Sequence, residues 1–162
     1  MKENKKFGFL SLLVALFVCT SALFTACGSD DDSSSNTVTV NGKSTNFTGL
    51  QAVEGGGNVV LNLYAVSLSA SGGNADMLVF TIPTSLYGKT IELDKATPGD
   101  WDVAGTYISG DPRNLFDKGS TLFIQKTGKT YKIVFNLSKT AQDGSKTVVT
   151  GSYEGEGGFK LP

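Results

Sequence analysis

The chain contains no histidine, and its only two cysteines, Cys19 and Cys27, stand near its N-terminus. The first absence removes the Ser-His-Asp and Cys-His devices of nucleophilic catalysis, and with them the commonest transition-metal ligand. The second leaves nothing beyond residue 27 from which to build a disulfide framework or a thiolate metal site, so stability has to come from an apolar core. Only oxygen ligands remain for a metal, and no calcium-loop spacing is present. The glycine-rich stretches Gly55-Gly56-Gly57 and Gly155-Glu156-Gly157-Gly158 do not open helices, which leaves a phosphate cradle unsupported. Neither a metal nor a cofactor is expected. Positive charge is not in excess either, with 14 basic against 15 acidic side chains. Such a chain has no general attraction for nucleic acid, and no nucleic-acid partner is expected.

What is present begins with an address. Lys2, Lys5 and Lys6 precede a run from Phe7 to Ala26 in which 15 of 20 residues are apolar and none is charged. A basic start followed by an apolar stretch is the arrangement of a secretory signal peptide, expected here over residues 1–26 and removed on maturation. The alternative is a membrane span, since about 20 apolar residues cross a bilayer. Against it, Ser11, Thr20, Ser21 and Thr25 interrupt the run and no basic cluster follows it.

Phe24-Thr25-Ala26-Cys27 resembles a bacterial lipobox, with phenylalanine where leucine is usual. The resemblance implies that Cys27 is lipidated and that the chain is held to a membrane by acyl chains. Residues 27–36 carry Ser29-Asp30-Asp31-Asp32 and then Ser33-Ser34-Ser35-Asn36. By composition this is a solvated tether, too poor in apolar area to order itself. An acidic run directly after a lipidated cysteine is also similar to the surface-export signal of Bacteroidetes lipoproteins. That likeness implies an outer-membrane location facing the exterior, with Ser29, Asp30, Asp31 and Asp32 as the signal.

Residues 37–162 read as one β-rich domain. The stretches between glycines and prolines are short and rich in Val, Ile, Thr, Tyr and Phe, which favours strands joined by turns. Val38-Thr39-Val40 runs into Asn41-Gly42, a two-residue hairpin signal. Residues 58–70 form a long apolar run ending in Ser71-Gly72-Gly73-Asn74, and residues 75–82 follow, with Leu78, Phe80 and Ile82 on one face and Pro83 as a stop. Ile91 and Leu93 alternate with Thr90, Glu92 and Asp94. Residues 101–108 place Trp101, Val103 and Tyr107 on one side, with Gly105 at a bulge or close contact. Tyr131, Ile133, Phe135 and Leu137 alternate with polar residues except at Val134, and Val149, Gly151 and Tyr153 continue the inward set. Only residues 111–116 suggest helix, with Asp111 as cap and Pro112 at the first position. The expectation is an all-β fold: an antiparallel sandwich or small barrel of about eight to ten strands, with at most one short helical turn. The segments "VTVNGKS", "WDVAGTY", "GSTLFIQKTGKTYKIVFNLS" and "DGSKTVVTGSYEG" are similar to small Bacteroidetes lipoproteins of β-sandwich or lipocalin-like profile, a group that implies a fold and a compartment but no activity.

Chemistry is sparsely written. Asp100 and Asp102, like Glu92 and Asp94, lie two apart, which on a strand puts each pair on one face about 6.6 Å apart. A paired-carboxylate hydrolase would need such a pair, but the wet side of a strand looks the same and no desolvated partner is evident. Met77 reads as core. Among the aromatics, Trp101 follows Pro98-Gly99-Asp100 at a strand mouth and either fills the core or offers a ligand platform, while Tyr87 precedes Gly88 in a turn and is expected to be exposed. The expected function is therefore non-enzymatic: a binding module for a glycan or small ligand using Trp101 and Tyr87. The alternative is a structural or adhesive accessory contacting an envelope or host protein, with an acid-base hydrolase last.

Overall fold

The Asn-Gly turn opens the domain. In the computed structural model, which describes residues 36–69, 72–96 and 101–158, β1 (Thr37–Val40) and β2 (Lys43–Asn46) pair antiparallel with Val40 opposite Lys43. Asn41 and Gly42 both take positive φ, 48° and 83°, giving the turn whose twist matches that of the flanking strands. Asn41 Oδ1 also accepts the Val148 N–H at 2.8 Å, so the turn is anchored to the last strand. Asn36, placed by composition in the tether, is part of the fold: its N–H donates to the Ser152 carbonyl at 3.0 Å and its Oδ1 accepts the Glu154 N–H at 2.7 Å.

Eight further strands follow: β3 (Gly49–Gly55), β4 (Asn58–Ser69), β5 (Gly72–Pro83), β6 (Thr90–Glu92), β7 (Asp102–Gly105), β8 (Thr121–Thr127), β9 (Thr130–Thr140) and β10 (Lys146–Glu156). They form two antiparallel sheets, one of order β2-β1-β10-β9-β8-β6 and one of order β3-β4-β5-β7. Neither closes on itself, so the all-β expectation resolves to a sandwich. The alternation read from the sequence is what faces inward. Ile133, Phe135 and Leu137 of β9 meet Leu78, Phe80 and Ile82 of β5 in one buried cluster, and the Phe80 and Phe135 rings stand 5.3 Å apart across the two sheets. Gly151 is small for a reason. A Cβ there would lie 2.6 Å from Phe135 Cζ and collide with the Thr37 carbonyl oxygen. Gly105 is likewise a close contact, with an added Cβ 2.8 Å from Leu78 Cδ1.

Several local expectations are corrected. The one helical turn among the described residues is Thr84–Leu86, just after Pro83, while residues 111–114 form a tight turn closed by the Asn114 N–H on the Asp111 carbonyl. Asp111 still accepts the Arg113 N–H through its side chain, so its capping chemistry is used without a helix to cap. Gly72, Gly73 and Asn74 belong to β5, because strand pairing continues to Ser69 opposite Gly72. β6 ends at Glu92, so Asp94 sits in a turn and shares no strand face with it. Gly155 and Glu156 complete β10, and Gly157 packs closely on the Tyr131 ring and Ala52.

A cleft at the open corner of the sandwich

Register fixes which side chains meet at the β2 edge. Val40, Lys43 and Val149 are paired neighbours across β1, β2 and β10, and Val38, Thr45 and Gly151 form the next row, so Lys43 and Thr45 lie on the inner face of their sheet. On the facing sheet Ala65 pairs with Asp76 and Leu63 with Leu78, which puts Asp76 on the inner face as well. The rest of the interior is filled mostly by larger side chains, chiefly Leu, Ile, Phe and the other aromatics. This corner has Ala65 and Thr45, and space remains. The result is a cleft of about 470 Å³ whose floor is Val38, Phe47, Ala65, Leu78, Ile108 and Val149.

The mouth of the cleft is polar and carries two opposite charges on opposite walls. Asp76 accepts the Tyr107 hydroxyl at 2.8 Å, and this bond is the main reason the phenol titrates above its ordinary range. Thr106 holds that wall in place, its N–H donating to the Met77 carbonyl at 3.0 Å and its Oγ1 accepting the Met77 N–H at 3.1 Å. Lys43 makes no hydrogen bond or ion pair among the described residues, and it and Asp76 are the cleft's only charged lining residues there. Met77, expected in the core, and Tyr107, expected on one face with Trp101 and Val103, stand at the rim, 42% and 51% exposed. Tyr107 falls outside the strand pattern because β7 ends at Gly105, where the alternation stops.

The aromatic candidates lie elsewhere. Trp101 is 1% exposed and tilted against Phe116 with ring centroids 6.0 Å apart, so its faces belong to the core and it is not a surface platform. Its Nε1 is buried without a hydrogen-bond partner among the described residues. Tyr87 is half-buried, and its hydroxyl donates to Glu54 Oε1 at 2.6 Å. Glu54 also accepts the Tyr131 hydroxyl at 2.9 Å and both oxygens receive Lys126 Nζ, at 2.9 and 2.8 Å. The Lys126 bond, followed by the two phenols, holds the Glu54 carboxyl down at about 2, whereas burial and the Glu54 contact push Tyr87 up. This cluster clips β3 of one sheet to the β8–β9 hairpin of the other; its donors and acceptor are spent on one another.

The carboxylate pairs do not assemble. Asp102 is exposed on β7 beside the buried Trp101 and Val103, and Asp100 lies outside the described residues. Glu92 pairs with Lys95 at 2.6 Å, and Asp94 accepts the Gly119 N–H at 3.0 Å. Cys27, Ser29, Asp30, Asp31 and Asp32 also lie outside the described residues. Among the described residues no group of three or more acidic, cysteine or histidine side chains is placed to hold a metal, and no helix is long and apolar enough to cross a membrane. Comparison with protein-family models, with curated proteins and with solved structures gives no match.

Sequence reasoning missed Lys43, Asp76 and Tyr107. For Lys43 a signal existed. A two-residue turn makes Val40 and Lys43 direct partners, so an inward Val40 implies an inward lysine.

Proposed function

We propose that the chain is a lipid-anchored outer-membrane protein, exposed at the cell exterior, whose sandwich is a non-catalytic module binding a small ligand with an apolar body. The observation that carries the binding reading is the cleft. Its volume, about 470 Å³, falls within the range of small-molecule sites, and its apolar floor under a few polar groups has their usual composition. The glycan version of the reading rested on exposed aromatic faces. With Trp101 buried and Tyr87 bonded to Glu54, support passes to the small-ligand version and to the residues around Met77. Anchoring is supported by the lipobox-like Phe24-Thr25-Ala26-Cys27, and surface exposure by the acidic run Asp30 to Asp32.

The experiment uses the full chain labelled at its isoleucine δ1 methyls. Ile108 lies on the cleft floor, while Ile82, Ile91, Ile124 and Ile133 do not line it and serve as internal blanks. Octanol is expected to shift the Ile108 resonance saturably, and Thr45→Trp, which places an indole over the mouth from an exposed position, is expected to abolish the shift while the fold persists. An Ile108 signal that octanol leaves unmoved would refute the cleft and leave the accessory role. In the same preparation Cys27→Ser should accumulate as unprocessed precursor; normal anchoring of that variant would refute lipidation.

A further inference from the structure

Lys43 is an anomaly of placement. Its row on the inner face is otherwise apolar, with Val40 and Val149, yet this exposed edge position carries an ammonium. No carboxylate satisfies it among the described residues. Asp76, the carboxylate that lines the opposing wall, is bonded to the Tyr107 hydroxyl and forms no ion pair with Lys43. The other rim hydroxyls differ in availability. Ser44 Oγ is bonded to Thr39 Oγ1 at 2.7 Å, and Thr106 Oγ1 to the Met77 backbone, while Thr45 Oγ1 has no partner among the described residues. The cleft therefore combines an apolar floor with one unspent cation and one unspent hydroxyl on the same wall, and a carboxylate on the far wall that is already engaged.

We infer that the cleft takes an amphiphilic carboxylate, with its apolar chain on Phe47, Ala65, Leu78 and Ile108 and its head group on Lys43 and Thr45. This assignment rests on the cleft being a ligand site, and it adds the sign and chemistry of the head group. Charge complementarity selects a monoanion over a cation. A carboxylate accepts from both Lys43 Nζ and Thr45 Oγ1, whereas an ammonium head would face Lys43 as a like charge and compete with Tyr107 for Asp76. The apolar floor selects a chain over a compact polar anion, which has nothing to set against the loss of its hydration. A different role for an inward lysine is known in general: on an edge strand it discourages pairing with another chain. β2 is such an edge. That role predicts no ligand preference, so the two are separable.

The test titrates the full chain with octanoate, octanol and octylammonium, read at the Ile108 δ1 methyl on the cleft floor. The ratio of octanoate to octanol affinity is the measured quantity, because it cancels the contribution of the shared chain. Lys43→Met is expected to lower that ratio about three- to tenfold, the range for a charge-assisted contact at a partly exposed mouth. Raising the salt to about 1 M should shrink the wild-type ratio in the same direction. Asp76→Asn should raise it. If octanol binds and the ratio is indifferent to Lys43→Met, the cleft reading stands, the head-group assignment is overturned and Lys43 is an edge guard. Tighter binding of octylammonium than octanoate would overturn the assignment in favour of the opposite sign. If none of the three moves Ile108, the cleft reading itself has failed.

Discussion

Replacing Glu54 with glutamine tests whether one surface cluster contributes to holding the two sheets together. Glu54 sits on β3, and Lys126 and Tyr131 on the β8–β9 hairpin of the other sheet, so its bonds to those two span the sandwich. Glutamine keeps the shape and an oxygen that still accepts from the phenols, but removes the charge that Lys126 meets. The carboxyl falls from 4.5 to about 2 on folding, which corresponds to on the order of 3 kcal/mol if none of it were screened. The side chain is 36% exposed and Lys126 30%, so solvent takes most of that, and about 1 kcal/mol is expected. Since the folded value is depressed, the contribution is complete above about 4.5 and disappears as pH falls toward about 2. Urea unfolding followed by Trp101 emission should show Glu54→Gln less stable by about 1 kcal/mol at pH 7. The gap should close between pH 4.5 and pH 2, and about 1 M salt should narrow it at neutral pH. Other carboxyls held low by hydrogen bonds, Asp117 and Asp143, weaken both proteins alike and cancel in the difference. A gap that persists unchanged at low pH would mean that shape, not charge, makes the clip, and no gap at pH 7 would refute the clip altogether.

Two further substitutions test the core. Trp101→Ala should cost about 3–5 kcal/mol in thermal unfolding, whereas Trp101→Phe keeps a ring against Phe116, drops the unpaired Nε1 and should cost about 1–2 kcal/mol. Equal losses, or none, would contradict the buried placement, as would ready quenching of the native emission by acrylamide. Gly151→Ala should destabilise by about 1–3 kcal/mol because its Cβ meets Phe135 and the Thr37 carbonyl, while Gly55→Ala, with nothing within 4 Å, should be neutral or slightly stabilising. If the two alanines behave alike by urea titration, the close approach at Gly151 is wrong.

How far the sequence determined this molecule follows from which signals are local. The Asn41-Gly42 hairpin and the inward sets of β5, β9 and β10 were legible because turn chemistry and two-residue alternation are properties of adjacent residues. Tyr107 was misread because alternation holds only while a strand lasts, and β7 ends at Gly105, where close contact with Leu78 leaves no room for a side chain. Asp94 failed for the same reason, one turn beyond β6. Trp101 and Tyr87 show a different limit: whether an aromatic fills a core or offers a face depends on what packs over it, and their neighbours Phe116, Tyr131 and Glu54 are 15 to 44 positions away in the chain. The cleft lies furthest from the sequence of all. It exists where Ala65 of β4 faces the β2 edge across two sheets, and strand order alone decides that those segments meet. Yet half of its chemistry was within reach. Once Val40 is read as inward, the two-residue turn commits Lys43 to the same face, which sets an exposed lysine without a carboxylate partner beside the cleft and is the basis of the head-group assignment.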